Sequence, residues 1–251
     1  YVFTTVLSFD VEQDGQQPKN QTVLSGHTAN IYASANNIYL AMTQTGNTIL
    51  HRIHIENGDI SYVADGEVPG RVINQFAMDE HHGYFRIATT STLSSTNVYV
   101  LNMDLEIVGR LEGIASGETM HSARFMGSRV YLVTFRKVDP FFVVSLANPS
   151  MPIVLGELKV SGYSDYLHPY DENHVIGIGK ETVPSDSDTF SWYQGVKISF
   201  FDVTYVFAPV ELAKYEIGDR GTNSPVLTDH KAFLFNKEKK LLALPVSVAR
   251  I

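Results

Sequence analysis

The chain has 251 residues, 44% apolar and 18% charged, which is the composition of a folded chain with an ample core and argues against disorder. A net charge of −8, with Lys and Arg scattered outside Lys237-Glu238-Lys239-Lys240, excludes a broad basic footprint for nucleic acid. With no cysteine there is neither a disulfide scaffold nor a thiol nucleophile, and no apolar run approaches the length of a membrane span.

Taken in chain order, the predicted elements are short β runs broken by Gly, Pro and Asn, with no sustained 3.6-residue apolar period. "YVFTTVLSFD" and "QTVLSG" open the chain as two runs. "NIYASANNIYLAMTQ" with "TILHRIHIENGDISYVADGEVPG" gives four runs, and so does "NQFAMDEHHGYFRIATT" with "TNVYVLNMDLEIVGRLEGI". "HSARFMGSRVYLVTF" with "DPFFVVSLANPSMPIVLGELKVSG" repeats the pattern, followed by "DYLHPYDENHVIGIG" with "VKISFFDVTYVFAPVELAKYEIGD". "HKAFLFNKEKKLLALPV" closes the chain with two more.

The four full copies start at Asn30, Asn74, His121 and Asp165, which lie 44, 47 and 44 residues apart. Four strands per unit at that spacing predict an all-β fold, a β-propeller of four-stranded antiparallel blades within a single domain over residues 1–251. The full blades fall at about 30–70, 71–115, 118–160 and 163–219. Residues 224–251 and 1–26 together make a composite fifth blade, which pairs strand edges that would otherwise invite association. The alternative is a piece of a larger propeller, or a ring completed by another chain.

Alternating strand direction places the entry to each innermost strand on one face. Aligned there are Asn30, Asn74, His121, Asp165 and His230, all polar, as a ring at one mouth of the central channel. Glu118, Asp229 and Asp219 are near them in sequence. Two imidazoles and a carboxylate, His121, Asp165 and His230, form the candidate set for a divalent cation; the bland alternative is that these side chains only bind water and neighbouring loops. Lys180 to Gly195, "KETVPSDSDTFSWYQG", is expected as a loop on the same face, offering Trp192 and Tyr193 to a ligand or packing them on the next blade.

"DEHH", Asp79 to His82, and "DENH", Asp171 to His174, look metal-like but belong to turns on the opposite face, where solvated turns are expected. "SDSD", Ser185 to Asp188, lacks the Gly and distal Glu of a calcium loop. His51 and His54 stand at mixed parity on one strand and are not expected to share a ligand. There is no Gly-x-Ser-x-Gly elbow. Asn20-Gln21-Thr22 is a glycosylation sequon by pattern.

The stretch from "GETMHSARFMGSRVYLVTFRKVDPFF" to "YLHPYDENHVIGIGKE", with "AKYEIGDRGTNSPVLTDHKAFLFNKEKKLLALPV", resembles the C-terminal β-propeller domain of secreted bacterial and archaeal proteins, distantly related to WD40 repeats. The resemblance is near-continuous over residues 117–246 and collinear upstream. It implies an exported, envelope-associated protein and carries no activity to transfer. Members often have His where Thr228 stands, giving a His-Asp-His run of which only Asp229-His230 remains here.

The reading that follows is a non-enzymatic extracellular module, binding a protein, peptide or glycan through the channel-mouth face and requiring no cofactor. The competing reading is a metal-assisted hydrolase or lyase built on His121, Asp165 and His230.

Overall fold

The computed structural model describes residues 2–12, 15, 17–25, 30–135, 139–185 and 191–250. Among them every sheet is antiparallel, and no helix is long and apolar enough to cross a membrane. The strands are β1 (Val2–Ser8), β2 (Lys19–Ser25), β3 (Asn30–Ala33), β4 (Asn37–Gln44), β5 (Asn47–Glu56), β6 (Asp59–Pro69), β7 (Met78–His81), β8 (Tyr84–Thr90), β9 (Thr96–Leu101) and β10 (Ile107–Ile114). They continue as β11 (Thr119–Met126), β12 (Arg129–Phe135), β13 (Asp139–Ser145), β14 (Ile153–Val160), β15 (Tyr163–Asp171), β16 (His174–Pro184), β17 (Ser191–Asp202), β18 (Val210–Ile217), β19 (Leu234–Asn236) and β20 (Leu241–Ala243).

The hydrogen-bonded sheets are β3–β6, β7–β10, β11–β14 and β15–β18, four strands each in sequence order, and the two-stranded sheets β1–β2 and β19–β20. The four-stranded repeat read from the sequence is therefore the sheet plan of the molecule. The chain divides into two compact units, residues 1–114 with 149–152, and residues 115–148 with 153–251.

In the first unit, β1–β2 lies against the β3–β6 sheet. Val6 and Val23 pack with Leu40, Ile53, Ile60 and Tyr62, because alternate strand residues face one side of a sheet and the apolar ones here share that side. In the second unit the core joins β11–β14 to β15–β18 through Tyr131, Val133, Phe141, Val143, Leu167, Val175 and Phe201. At about 25 cal/mol per Å², burying one such aromatic or β-branched side chain contributes roughly 2 kcal/mol. That is why nearly identical four-strand sheets stack face to face.

Two short helical turns precede inner strands. Gln75–Ala77 is capped by Asn74, whose side chain accepts from the Phe76 N–H, and His230–Ala232 is capped by Asp229, which accepts from the Lys231 N–H. Each cap satisfies an amide that the turn leaves without a backbone partner.

The expected loop at Lys180 to Gly195 differs from the structure. β16 and β17 run on past the sheet body and pair as far as Pro184 with Ser191, with Thr182 opposite Tyr193 and Val183 opposite Trp192. β-branched and aromatic residues facing each other favour extension of the hairpin over an open loop. Asp186 and Asp188 of the "SDSD" stretch lie outside the described residues.

Candidate functional site

The inner strands β11 and β15 carry the same irregularity. In β11 the ladder skips between Met120 and Ser122, leaving His121 unpaired; in β15 it skips between Ser164 and Tyr166, leaving Asp165 unpaired. A β-bulge re-aims the side chain of its extra residue. Here two bulges aim theirs at each other: His121 Nδ1 and Asp165 Oδ1 lie 3.1 Å apart, with side chains 25% and 20% exposed. Next to them Ser122 Oγ donates to the Ser164 carbonyl at 2.6 Å and ties the two strands together.

An ionised carboxylate only accepts, so His121 donates from Nδ1, and Nε2 is the ring nitrogen that this bond leaves for a ligand, as an acceptor when the ring is neutral. The ring rests on an aromatic floor. Tyr163 is 4.4 Å from it between centroids, and Phe135 meets it edge-on at 5.7 Å. Tyr193, from the extended hairpin, meets Tyr163 edge-on at 5.7 Å and remains 49% exposed. Trp192 points the other way, since neighbours in a strand face opposite sides, and the Arg220 guanidinium lies 4.3 Å from its ring centroid.

Polar groups border this floor. Thr134 Oγ1 donates to the Glu118 carboxylate. Lys180, across the ladder from Tyr163, donates to the Thr222 carbonyl; burial lowers its pKa, and the nearby Asp165 charge opposes that shift. Sequence reading did not single out Phe135, Tyr163, Thr134 and Lys180. The signal was available, because the end of each second strand returns to the entry of the first.

Of the other residues expected at this mouth, only Asn30 is the first residue of its strand. Asn74 and His230 belong to the turns before β7 and β19, because an Asx cap forms a helical turn where the alignment assumed extended chain. His230 lies beside Tyr166, 6.3 Å between ring centroids, and Asp229 is exposed. Among the described residues no three His, Asp or Glu side chains gather into a group able to hold a metal ion, so the pair His121 and Asp165 is not joined by a third ligand such as His230.

The metal-like turns are structural. Asp79 forms an ion pair with the buried Arg86. One oxygen of Glu80 accepts from Ser34 Oγ at 2.9 Å, Asn37 Nδ2 at 3.0 Å and Tyr39 OH at 2.6 Å. These two carboxylates are thus tied into the sheets, where a solvated turn was expected, because Asp79 meets the buried Arg86 on β8 and Glu80 meets donors of the neighbouring β3–β6 sheet. Asp171 pairs with His174 at 2.8 Å and with Lys237 at 3.5 Å. His51 binds Tyr62 and His54 binds Asn37, so the two rings share no partner.

Compared with known proteins, residues 1–250 match the family model for the Beta propeller domain. The chain belongs to that family. Relatives include an uncharacterized protein of Archaeoglobus fulgidus, 38% identical over 198 residues, covering 78% of this chain and 30% of that protein. An uncharacterized protein of Methanocaldococcus jannaschii is 42% identical over 195 residues, covering 75% of this chain and 29% of that one. The match thus spans about a third of each relative's length. Among solved structures the AfRom2 CNH domain aligns with a TM-score of 0.44 at 7% identity, over 86% of this chain and 62% of that domain.

Proposed function

We propose that this β-propeller domain is a non-enzymatic binding module of an exported protein, and that it takes a polar ligand, a glycan or a segment of peptide or protein, at His121 and Asp165. The observation that supports this is the pair of matched bulges in β11 and β15. A bulge costs ladder hydrogen bonds, and here two of them present a fixed acceptor, Nε2, above aromatic rings. Aromatic faces stack on the C–H surface of a sugar or the side chain of a peptide, while the imidazole accepts a hydroxyl or amide proton. A rigid scaffold keeps that geometry at little ordering cost on binding.

The test is a glycan and peptide array probed with the wild-type domain and with His121→Ala and Tyr193→Ala. The reading expects a small set of related hits whose affinity falls at least tenfold in both variants while the melting temperature is held. Hits that survive both substitutions, or turnover of the bound compound, would contradict it. Zinc and calcium titrations of the same proteins test the competing reading, which requires stoichiometric metal that is lost with His121. The exported setting is tested by finding the parent protein in the envelope or medium fraction.

A further inference from the structure

The β16–β17 hairpin carries an aromatic residue on each side. Tyr193 meets Phe135 and Tyr163 of the aromatic floor, whereas Trp192, facing the other way, shares its side with Val183, its partner across the ladder. Trp192 and Val183 are 42% and 49% exposed, so apolar surface lies open on that side as well.

Arg220 reaches Trp192 from a turn that has little freedom. The Thr222 N–H donates to the Asp219 carbonyl at 3.0 Å, with Arg220 and Gly221 between them, and Gly221 takes φ 100°, where only glycine is unstrained. Both ends of the turn are tied to one residue: the Asp219 N–H donates to the Ala249 carbonyl at 2.9 Å, and Oγ1 of the wholly buried Thr222 accepts the Ala249 N–H, also at 2.9 Å. All of these residues belong to the second unit.

The Arg220 guanidinium carbon lies 4.3 Å from the Trp192 ring centroid, and the residue is exposed. The negative face of the ring holds the cation, and the N–H fork stays available to an acceptor. Among the described residues Arg220 has no carboxylate partner. Its cationic neighbours differ, because Lys214 pairs with Glu181 and Glu216, and Lys180 donates to the Thr222 carbonyl.

We infer that Arg220 and Trp192 form a second subsite, independent of His121, which takes the carboxylated ring of a uronic acid in a glycan. The fork donates two N–H bonds to the carboxylate, and the C–H face of the sugar ring lies on the open surface of Trp192 and Val183. A uronic acid joins a charge and an apolar face on one rigid ring, which is the combination this side of the hairpin offers. A Glu or Asp side chain brings its carboxylate on a flexible stem with no face to stack, and a neutral sugar brings the face without the charge.

Trp192 is the only tryptophan in the chain, so its fluorescence reads the subsite directly. Wild type, Arg220→Gln and Arg220→Lys, matched in melting temperature, are titrated with trimers of galacturonate, glucuronate and mannuronate, with a neutral galactose trimer and with triglutamate. At least one uronate is expected to give a saturable change in emission that weakens with added salt, and whose affinity falls about tenfold or more in Arg220→Gln. Arg220→Lys keeps the charge and loses the fork, so its affinity is expected to fall as well. No response to any of the three uronates, or an equal response in Arg220→Gln, would overturn the inference. Triglutamate or the neutral trimer binding as tightly as the best uronate would also overturn it, the first pointing to an acidic peptide and the second to stacking alone.

Discussion

At the residue scale, the charges that are most deeply placed serve the scaffold. Glu181 is almost fully buried, and Lys214 reaches it at 2.7 Å; the Lys197 side chain, wholly buried, donates to the Ser161 carbonyl close by. The hydrogen bonds that Lys214 donates to Glu181 and Glu216 raise its pKa. Burial alone would raise that of Glu181, but the Lys214 hydrogen bond and the Thr182 N–H hold it below its usual value. Removing Glu181 leaves the wholly buried Lys197 charge without the carboxylate beside it, whereas Lys214 keeps Glu216. Glu181→Ala is expected to cost about 3 kcal/mol in urea unfolding, while Glu216→Ala, on the exposed side of Lys214, costs under about 1 kcal/mol. Equal costs for the two would contradict this assignment. None of this was legible in the sequence, since Glu181 reads as one polar residue in a polar insertion. Its burial follows from a strand extension that only pairing reveals.

At the scale of the element, the terminal hairpin is held by aromatic contacts along β15. His168 meets Phe233 at 4.9 Å and Phe235 at 5.1 Å, and its Nδ1 lies 3.0 Å from Tyr166 OH. Burial, with the Arg124 charge adding to it, lowers the His168 pKa below its ordinary 6.5. The unfolded chain therefore binds the proton more readily. This contribution to stability is complete above pH 6.5 and is lost as the pH falls from 6.5 toward the folded pKa. Burial lowers His51 in the same direction, with Asp65 partly opposing it. Melting temperature is expected to fall between pH 7 and pH 5, and less steeply in His168→Asn; identical slopes for variant and wild type would remove His168 from the account. The strands of this hairpin were legible as apolar runs. The bulges that aim His121 and Asp165 were not, because one unpaired residue leaves no trace in hydrophobic alternation.

At the scale of the whole molecule, the repeat was the most legible feature. It was written in spacing and in turn residues, which local chemistry dictates, and the four sheets follow it strand for strand. The candidate site was legible only in part: the aligned entries named His121 and Asp165, which lie 3.1 Å apart, whereas Asn74 caps a turn. The aromatic floor escaped notice because Phe135 and Tyr163 look like any core residue in a strand. The scaffold thus accounts for the buried charges Arg86, Glu181 and Lys197, and the ladder shifts at His121 and Asp165 differ from the others in bringing two polar side chains to face each other.

The most direct measurement is nuclear magnetic resonance of the His121 ring in ¹⁵N-labelled protein, titrated with the best array compound. The account predicts a neutral ring protonated at Nδ1 and a saturable shift of Nε2 together with the Tyr193 ring, both lost in Asp165→Asn. A ring protonated at Nε2, or a compound that binds without moving His121 and Tyr193, would contradict it.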